Sequence, residues 1–522
     1  MKELKLEELT LEQKFGMVLN PILLENNKGY IYELIRNHAL GSVWVRPDMP
    51  NSAEVIAEIK ELADYPILIF TDAESGLEPY KIGRHNELGC VNDEKLAYTF
   101  GKITAVTARN MGYNVVCNPV LDMKKERTVC GGNIRSLGSD KYKVTKLAAA
   151  IARGMHDGGV LTVAKHYPGG NNPAGLDSHM AETYSDQTKE QLLDYDLYPY
   201  KELMKQDLID GIMTEHQRFI HIDNEYPASL SEKVIGIIRE QGFDGFLITD
   251  AMDMMGVVAK FGEEAPIAIS IAAGNDIALS WKYDVQKSYR VIKERYEQGF
   301  ITSERLNEAA RRVLDAQRKT TKMPKDAQIT AVDIENYKNI SRNSVYARVD
   351  KGRSVALDCD GKYFFIVLTD NEIEVTDQGK VLADTFSGGW YSPQLIMEKL
   401  NQSFCNSKVC ALNNFPSPWK VSRALSDSRG YEVVFITYQD SQCYVGKECL
   451  TSRIISLMDA MQASGRISTV VHFGNPYVLE DIPHIPRILI GSAAVNGVID
   501  TLEVLKGNYP AKGVLTYDVK FK

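Results

Sequence analysis

Over roughly the first 320 residues, short apolar and β-branched runs alternate with longer segments in which apolar residues recur every three or four positions, the sequence form of a parallel α/β fold. The candidate strands are Met17–Asn20, Gly41–Arg46, Pro66–Thr71, Tyr113–Asn118, Gly159–Ala164, Gly211–Thr214, Gly245–Thr249 and Asp276–Leu279. Eight such strands within about 300 residues match the size and rhythm of a (β/α)8 TIM-type barrel, with an open doubly wound sheet as the alternative on pattern alone. Helices are predicted between them, for example over Asp93–Met111 and Ser139–Asp157, the latter opened by Ser139 and Asp140 and closed near Gly158 and Gly159. A barrel gathers the residues at its strand C-termini on one face, and the polar residues of this chain fall there.

From Lys319 to Gly352 the chain turns polar and loses strand-like runs, although Glu304–Arg318 before it keeps a helical pattern. Beyond this stretch come further strand candidates, Tyr363–Leu368, Lys408–Leu412, Glu432–Tyr438, Thr469–Phe473 and Arg487–Gly491, separated by helical segments such as Ser452–Ala463. The expected organisation is a barrel domain over 1–325, a linker over 326–350 and a smaller α/β/α sandwich over 351–522. No internal repeat or low-complexity segment interrupts it.

Composition narrows the class. A chain of 522 residues with 44% hydrophobic and 25% charged residues has apolar material for at least two packed cores, which excludes a single small module and disorder. Against 60 Lys and Arg stand 69 Asp and Glu, a formal charge of -9 without a basic cluster, so nucleic acid is not an expected partner. The N-terminal MKELKLEELTLEQKFGM has no apolar signal-peptide core and no long apolar stretch follows it, so no membrane association and a cytoplasmic location are expected. The cysteines Cys90, Cys117, Cys130, Cys359, Cys405, Cys410, Cys443 and Cys449 include no CxxC pair and read as buried free thiols; no metal and no cofactor are expected.

The most informative loop follows the fifth candidate strand. It begins Lys165-His166-Tyr167-Pro168-Gly169-Gly170 and runs through Asn171, Asn172 and Pro173 to Asp177-Ser178-His179. Lys165 and His166 offer two donors to a polar ligand, while Pro and Gly let the backbone turn away. Asp177 and His179 are close enough for a carboxylate to orient an imidazole. An isolated Asp-Ser-His is more simply a surface turn, and three adjacent residues are poorly placed for a Ser-His-Asp triad; no G-x-S-x-G elbow is present.

The second site is Asp250, which ends the apolar run Gly245–Thr249. A carboxylate at the tip of a buried strand is costly unless it is paired or used, although an Asp there also serves as a helix N-cap. Asp72, Glu74, Asp122, Arg135, Glu215 and His216 are further strand-end or loop polar residues, each structural if taken alone. Gathered in one pocket, they match the hydroxyls of a small saccharide. Asp250 is then the candidate nucleophile of a retaining glycosidase, with His179, held by Asp177, as acid/base.

These residues resemble glycoside hydrolase family 3, and within it the β-N-acetylglucosaminidase branch. The resemblance lies in Leu9–Lys14, Asp72–Gly76, Asn118–Asp122, Arg135–Asp140, Lys165–His179, Pro227–Ser231, Gly242–Asp250 and Ala273–Asp276, in order along the first domain. It implies a barrel whose nucleophile matches Asp250 and whose acid/base matches His179 with its partner Asp177. Sugar contacts would match Asp72, Arg135, Lys165 and His166. Val471–Tyr477 and Gly507–Gly513 are similar to the α/β/α domain many members carry. Gly170 and Asn171 depart from the usual His-Gly of the loop, and Ser75 from the usual Gly. The expected reaction is hydrolysis of terminal, non-reducing β-linked N-acetylglucosamine with retention. Phosphorolysis by the same residues is the close alternative, because a His acid/base carries no negative charge to repel phosphate. A binding protein that has lost catalysis is the alternative of another class. Nothing in the sequence indicates the oligomeric state.

Overall fold

The computed structural model describes residues 2–124, 135–280, 284–369, 373–375, 381–383, 391–439, 449–492 and 495–522. Cys130, Cys443 and the start of the Asn133–Asp140 stretch lie outside the described residues. The chain divides into two compact units. One comprises Met1–Tyr80, Ala97–Lys125 and Asp140–Ile334, the other Lys81–Leu96, Glu126–Ser139 and Glu335–Lys522.

Among the described residues the first unit contains ten strands: β1 (Leu19–Pro21), β2 (Ser42–Trp44), β3 (Leu68–Asp72), β4 (Val115–Cys117), β5 (Leu161–Tyr167), β6 (Thr183–Ser185), β7 (Gly211–Thr214), β8 (Gln217–Phe219), β9 (Phe246–Thr249) and β10 (Ala278–Ser280). Six of them form a sheet of order β2-β3-β4-β5-β7-β9, and β1 pairs with β10. Every one of these ladders is parallel. Single parallel bridges also join Ile22 to Trp44 and Ile248 to Ile277. β5 and β9 are buried along their whole length. Helices cover a parallel sheet on its faces, which is why its strands read as unbroken apolar runs rather than alternating ones.

Local chemistry fixes the element ends. Asp140 caps Lys141–Gly158 by accepting from the Tyr142 and Lys143 amides, and Gly159 ends it at φ +96°, a conformation that favours glycine. Asp276, fully buried before β10, accepts the Leu247 amide at 2.9 Å and Arg239 at 2.7 Å. Arg305 and Arg312 meet its other oxygen. A carboxylate this deep is stable only with such partners, and the pairing ties the start of β9 to β10.

The second unit is built on a sheet of order β11-β18-β17-β16-β12-β15, with β11 (Tyr346–Val349), β12 (Tyr363–Leu368), β13 (Ile373–Val375), β14 (Val381–Ala383), β15 (Lys408–Leu412), β16 (Glu432–Gln439), β17 (Ile467–Gly474) and β18 (Arg487–Gly491). β11 is antiparallel to its neighbour and the rest of the sheet is parallel. β13 and β14 pair antiparallel as a separate two-stranded sheet. Side chains alternate between two cores. Phe364, Ile366 and Leu368 join Ile454, Leu457 and Met461 on one face, while Phe365 and Val367 join Ile396, Leu400, Val498 and Leu502 on the other. Helices therefore cover both faces of this sheet.

Cys90 and Cys117 are buried as expected, but Cys359, Cys405 and Cys449 are exposed, because they lie in loops rather than in the apolar runs near them. Among the described residues, no helix is long and apolar enough to cross a membrane. Among the same residues no cluster of His, Cys, Asp or Glu is arranged to hold a metal ion.

Candidate active site

The strand ends of the first unit carry the candidate residues. β3 ends on Asp72, and β5 runs beyond its apolar stretch so that Lys165 and His166 lie within the strand. The ladder explains this. Ala164 faces Ile212 and Tyr167 faces Thr214, so Lys165 and His166 together oppose one residue of β7. Such a bulge re-aims side chains that strict alternation would send to opposite faces.

Lys165, only 2% exposed at its side chain, reaches Asp72 Oδ1 at 2.6 Å and Glu74 Oε1 at 2.6 Å. Its ammonium compensates two carboxylates that would otherwise repel each other. Asp72 is half exposed, so an acceptor edge remains open to solvent.

His166 is clamped by Asp122. Its backbone N–H donates to Oδ1 at 2.7 Å and its ring Nδ1 lies 2.8 Å from Oδ2. A carboxylate only accepts, so Nδ1 carries the hydrogen and Nε2 faces Asp250 Oδ2 at 4.0 Å.

Asp250 follows β9. Its amide donates to Thr214 O at 2.8 Å and its Oδ1 accepts from the Ala251 amide at 2.7 Å. It does not cap the next helix, which begins at Met255. Burial works against its ionisation, but the imidazoles of His166, His216 and His179 and the Ala251 amide outweigh burial and hold the carboxyl down at about 2.

The Asp-Ser-His segment docks on the chain that follows Asp250. Gly256 donates its amide to Ser178 O at 2.8 Å and Met255 to His179 O at 3.4 Å. Asp177 is buried, and its Oδ1 lies 2.8 Å from His179 Nδ1. Nδ1 must donate, which leaves Nε2 as the atom able to exchange a proton with a ligand.

The departures at Gly170 and Asn171 build a local hub. The Asn171 side chain donates to Asp186 at 2.6 Å and accepts from Ser185 at 2.7 Å, and its amide donates to Gln187 at 2.6 Å. Gln217 holds its carbonyl, and the Gly170 amide reaches Asp196 at 3.2 Å. β6 pairs in parallel with β8 beside this hub. None of Ser185, Asp186, Gln187 or Asp196 stands out in the sequence; the only signal is the polar TYSDQ run after a loop with three glycines.

Asp72, Lys165, His166, Asp177, His179 and Asp250 all belong to the first unit, joined by the contacts above. Arg135 is half-buried and belongs to the second unit.

Residues 3–316 match the glycosyl hydrolase family 3 N-terminal domain. A β-hexosaminidase of Tolumonas auensis is 27% identical over 262 residues, covering 48% of this chain and 77% of that protein. The structure of a family 3 β-N-acetylglucosaminidase from Paenibacillus sp. FPU-7 aligns with a TM-score of 0.81 at 22% identity, covering 98% of this chain and 100% of the other. A β-glucoside phosphorylase, BglX, aligns with a TM-score of 0.81 at 21% identity over 98% and 94% of the two chains. Strand-end carboxylates and imidazoles on a parallel sheet are the equipment of a glycosidase, and with a family match over most of its length the chain belongs to glycosyl hydrolase family 3.

Proposed function

We propose that the protein removes terminal, non-reducing β-linked N-acetylglucosamine from saccharides or cell-wall fragments by double displacement with retention. The observation that carries this reading is the docking of the Asp177–His179 segment on the residues that follow an ionised Asp250. Asp250 attacks the anomeric carbon while His179 Nε2–H protonates the leaving oxygen. His179 then takes a proton from the water that opens the glycosyl ester, and a second inversion returns the original anomer. Asp72, Lys165 and His166 bind the sugar. The β-hexosaminidase name of the Tolumonas relative supports the choice of sugar.

The same reading takes the eight parallel strands, with the bridges at Ile22 and Ile248, as a closed (β/α)8 barrel that brings their C-terminal ends to one mouth. It takes 1–325 as the catalytic domain, followed by the segment 326–350 and the domain 351–522.

Phosphorolysis is the second reading, favoured by an acid/base that is an imidazole rather than a carboxylate, since it does not repel an incoming phosphate. A screen of aryl β-glycosides of N-acetylglucosamine, glucose and xylose, run with and without phosphate, tests both. The expected result is release of free N-acetylglucosamine at a rate independent of phosphate, abolished in Asp250→Ala and reduced in His179→Ala. N-acetylglucosamine 1-phosphate as main product would replace hydrolysis by phosphorolysis, and binding without turnover would contradict both.

A further inference from the structure

The geometry points to His216 as a positioning residue for Asp250, which it fixes through the backbone of Ala251. The inference rests on reading Asp250 as the nucleophile. His216 follows β7 and is 1% exposed. Its Nε2 lies 2.9 Å from the Ala251 carbonyl oxygen and its Nδ1 lies 2.7 Å from Ser229 Oγ. A carbonyl only accepts, so Nε2 carries a hydrogen. Burial lowers the pKa of the ring even though Asp250 pulls the other way, so the imidazole is neutral near pH 7 and Nδ1 accepts the Ser229 hydroxyl hydrogen.

Ser229 is held in turn. Its amide donates to Glu215 O at 2.9 Å, and its carbonyl accepts from Asn275 Nδ2 at 2.7 Å. Asn275 Oδ1 accepts from Thr214 Oγ1 at 2.9 Å. A continuous buried chain thus leads from the end of β7, through Asn275, Ser229 and His216, to the Ala251 peptide. The N–H of the same residue, in the preceding peptide group, binds Asp250 Oδ1 at 2.7 Å, while Oδ2 is the oxygen 4.0 Å from His166 Nε2. One oxygen is tied down and the other is presented in one orientation. Displacement of a reacting atom by about 1 Å costs up to 100-fold in rate, so the support matters to kcat more than to binding.

The test uses the full chain with His216→Leu, His216→Gln and Ser229→Ala, all checked for thermal unfolding. Two readouts are taken: kcat and KM on an aryl β-N-acetylglucosaminide, and the titration of the Asp250 carboxyl by carbon-13 NMR. We expect His216→Leu to lose roughly tenfold or more in kcat with KM within about twofold, and the Asp250 carboxyl to titrate at higher pH. His216→Gln recovers most of kcat, because its amide N–H reaches the Ala251 carbonyl; Ser229→Ala falls between. The inference is overturned if folded His216→Leu keeps kcat within twofold, if its Asp250 titrates as in the wild type, or if Gln is as impaired as Leu. Absence of wild-type turnover would defeat the proposed substrate alone, and the Asp250 titration would still decide the role of His216.

Discussion

Asp177 holds His179 twice through a single oxygen: Oδ1 accepts from the His179 backbone amide at 2.9 Å and from its ring Nδ1 at 2.8 Å. The double contact sets both the ring orientation and the tautomer. Removing the carboxylate should therefore impair proton transfer rather than sugar binding. Asp177→Ala should lower kcat by about 10- to 100-fold for aryl glycosides with basic leaving groups and much less for a dinitrophenyl glycoside, which leaves without protonation. Rates across a series of phenols of different acidity check this. An equal loss for every leaving group would contradict it.

The Asp250 carboxyl, held at about 2, is ionised at neutral pH. Its folded-state value lies below that of a free carboxyl, so the stability it contributes is present above about pH 4 and is lost as the pH falls toward that folded value. In His179→Ala acting on a dinitrophenyl glycoside, where no acid is needed, kcat/KM should be level from about pH 8 down to about pH 4. A fall with an apparent pKa above about 4 would show that Asp250 titrates higher than the imidazoles of His166 and His216, which this variant keeps, allow.

Lys165 lies between Asp72 and Glu74, and Lys165→Met would leave two carboxylates facing each other without a cation. The expected cost is about 3 kcal/mol at pH 7, the low end for breaking a buried pair because Asp72 is half exposed. Denaturant unfolding of the variant and the wild type at pH 7 measures it.

Gly170 adopts φ +114°, and a Cβ there would stand 2.8 Å from the Phe219 ring. Gly170→Ala should cost about 1 to 3 kcal/mol through backbone strain and overpacking. Asn171→Ala removes two side-chain bonds of the same hub and should cost about 1 to 2 kcal/mol. Both should make the 170–180 segment more sensitive to limited proteolysis while leaving the rest of the cleavage pattern unchanged.

The parallel strands were legible because both of their faces are buried, which writes continuous apolar runs into the sequence. All eight strand candidates of the first unit overlap an observed strand, and Gly211–Thr214 coincides with β7. Where apolarity does not make the strand, the pattern is silent. β6 and β8 are three-residue pieces, polar except for Tyr184 and Phe219, that exist through pairing with each other. β11 contains Arg348 and is half-buried throughout, so it has no apolar run to find. β5 outruns its apolar stretch because its register against β7 shifts at Lys165 and His166, a property of the neighbour rather than of the strand.

The candidate site divides the same way. Asp177 with His179 is a contact two residues apart, and Asp250 ends an apolar run, so both are local signals. The Asn171 hub and the path from Thr214 through Asn275 and Ser229 to His216 join polar residues that are distant in sequence. Each looks like an ordinary loop or cap residue until the fold brings it to its partner.

The most direct test of the account is the site of covalent attachment during turnover. The protein is incubated with a fluorinated β-N-acetylglucosaminyl donor that slows hydrolysis of the intermediate, then digested and analysed by mass spectrometry. The account predicts a single N-acetylglucosaminyl group on the peptide carrying Asp250, formed more slowly in His216→Leu and absent in Asp250→Ala. Attachment to another carboxylate, or undiminished turnover by Asp250→Ala, would contradict it.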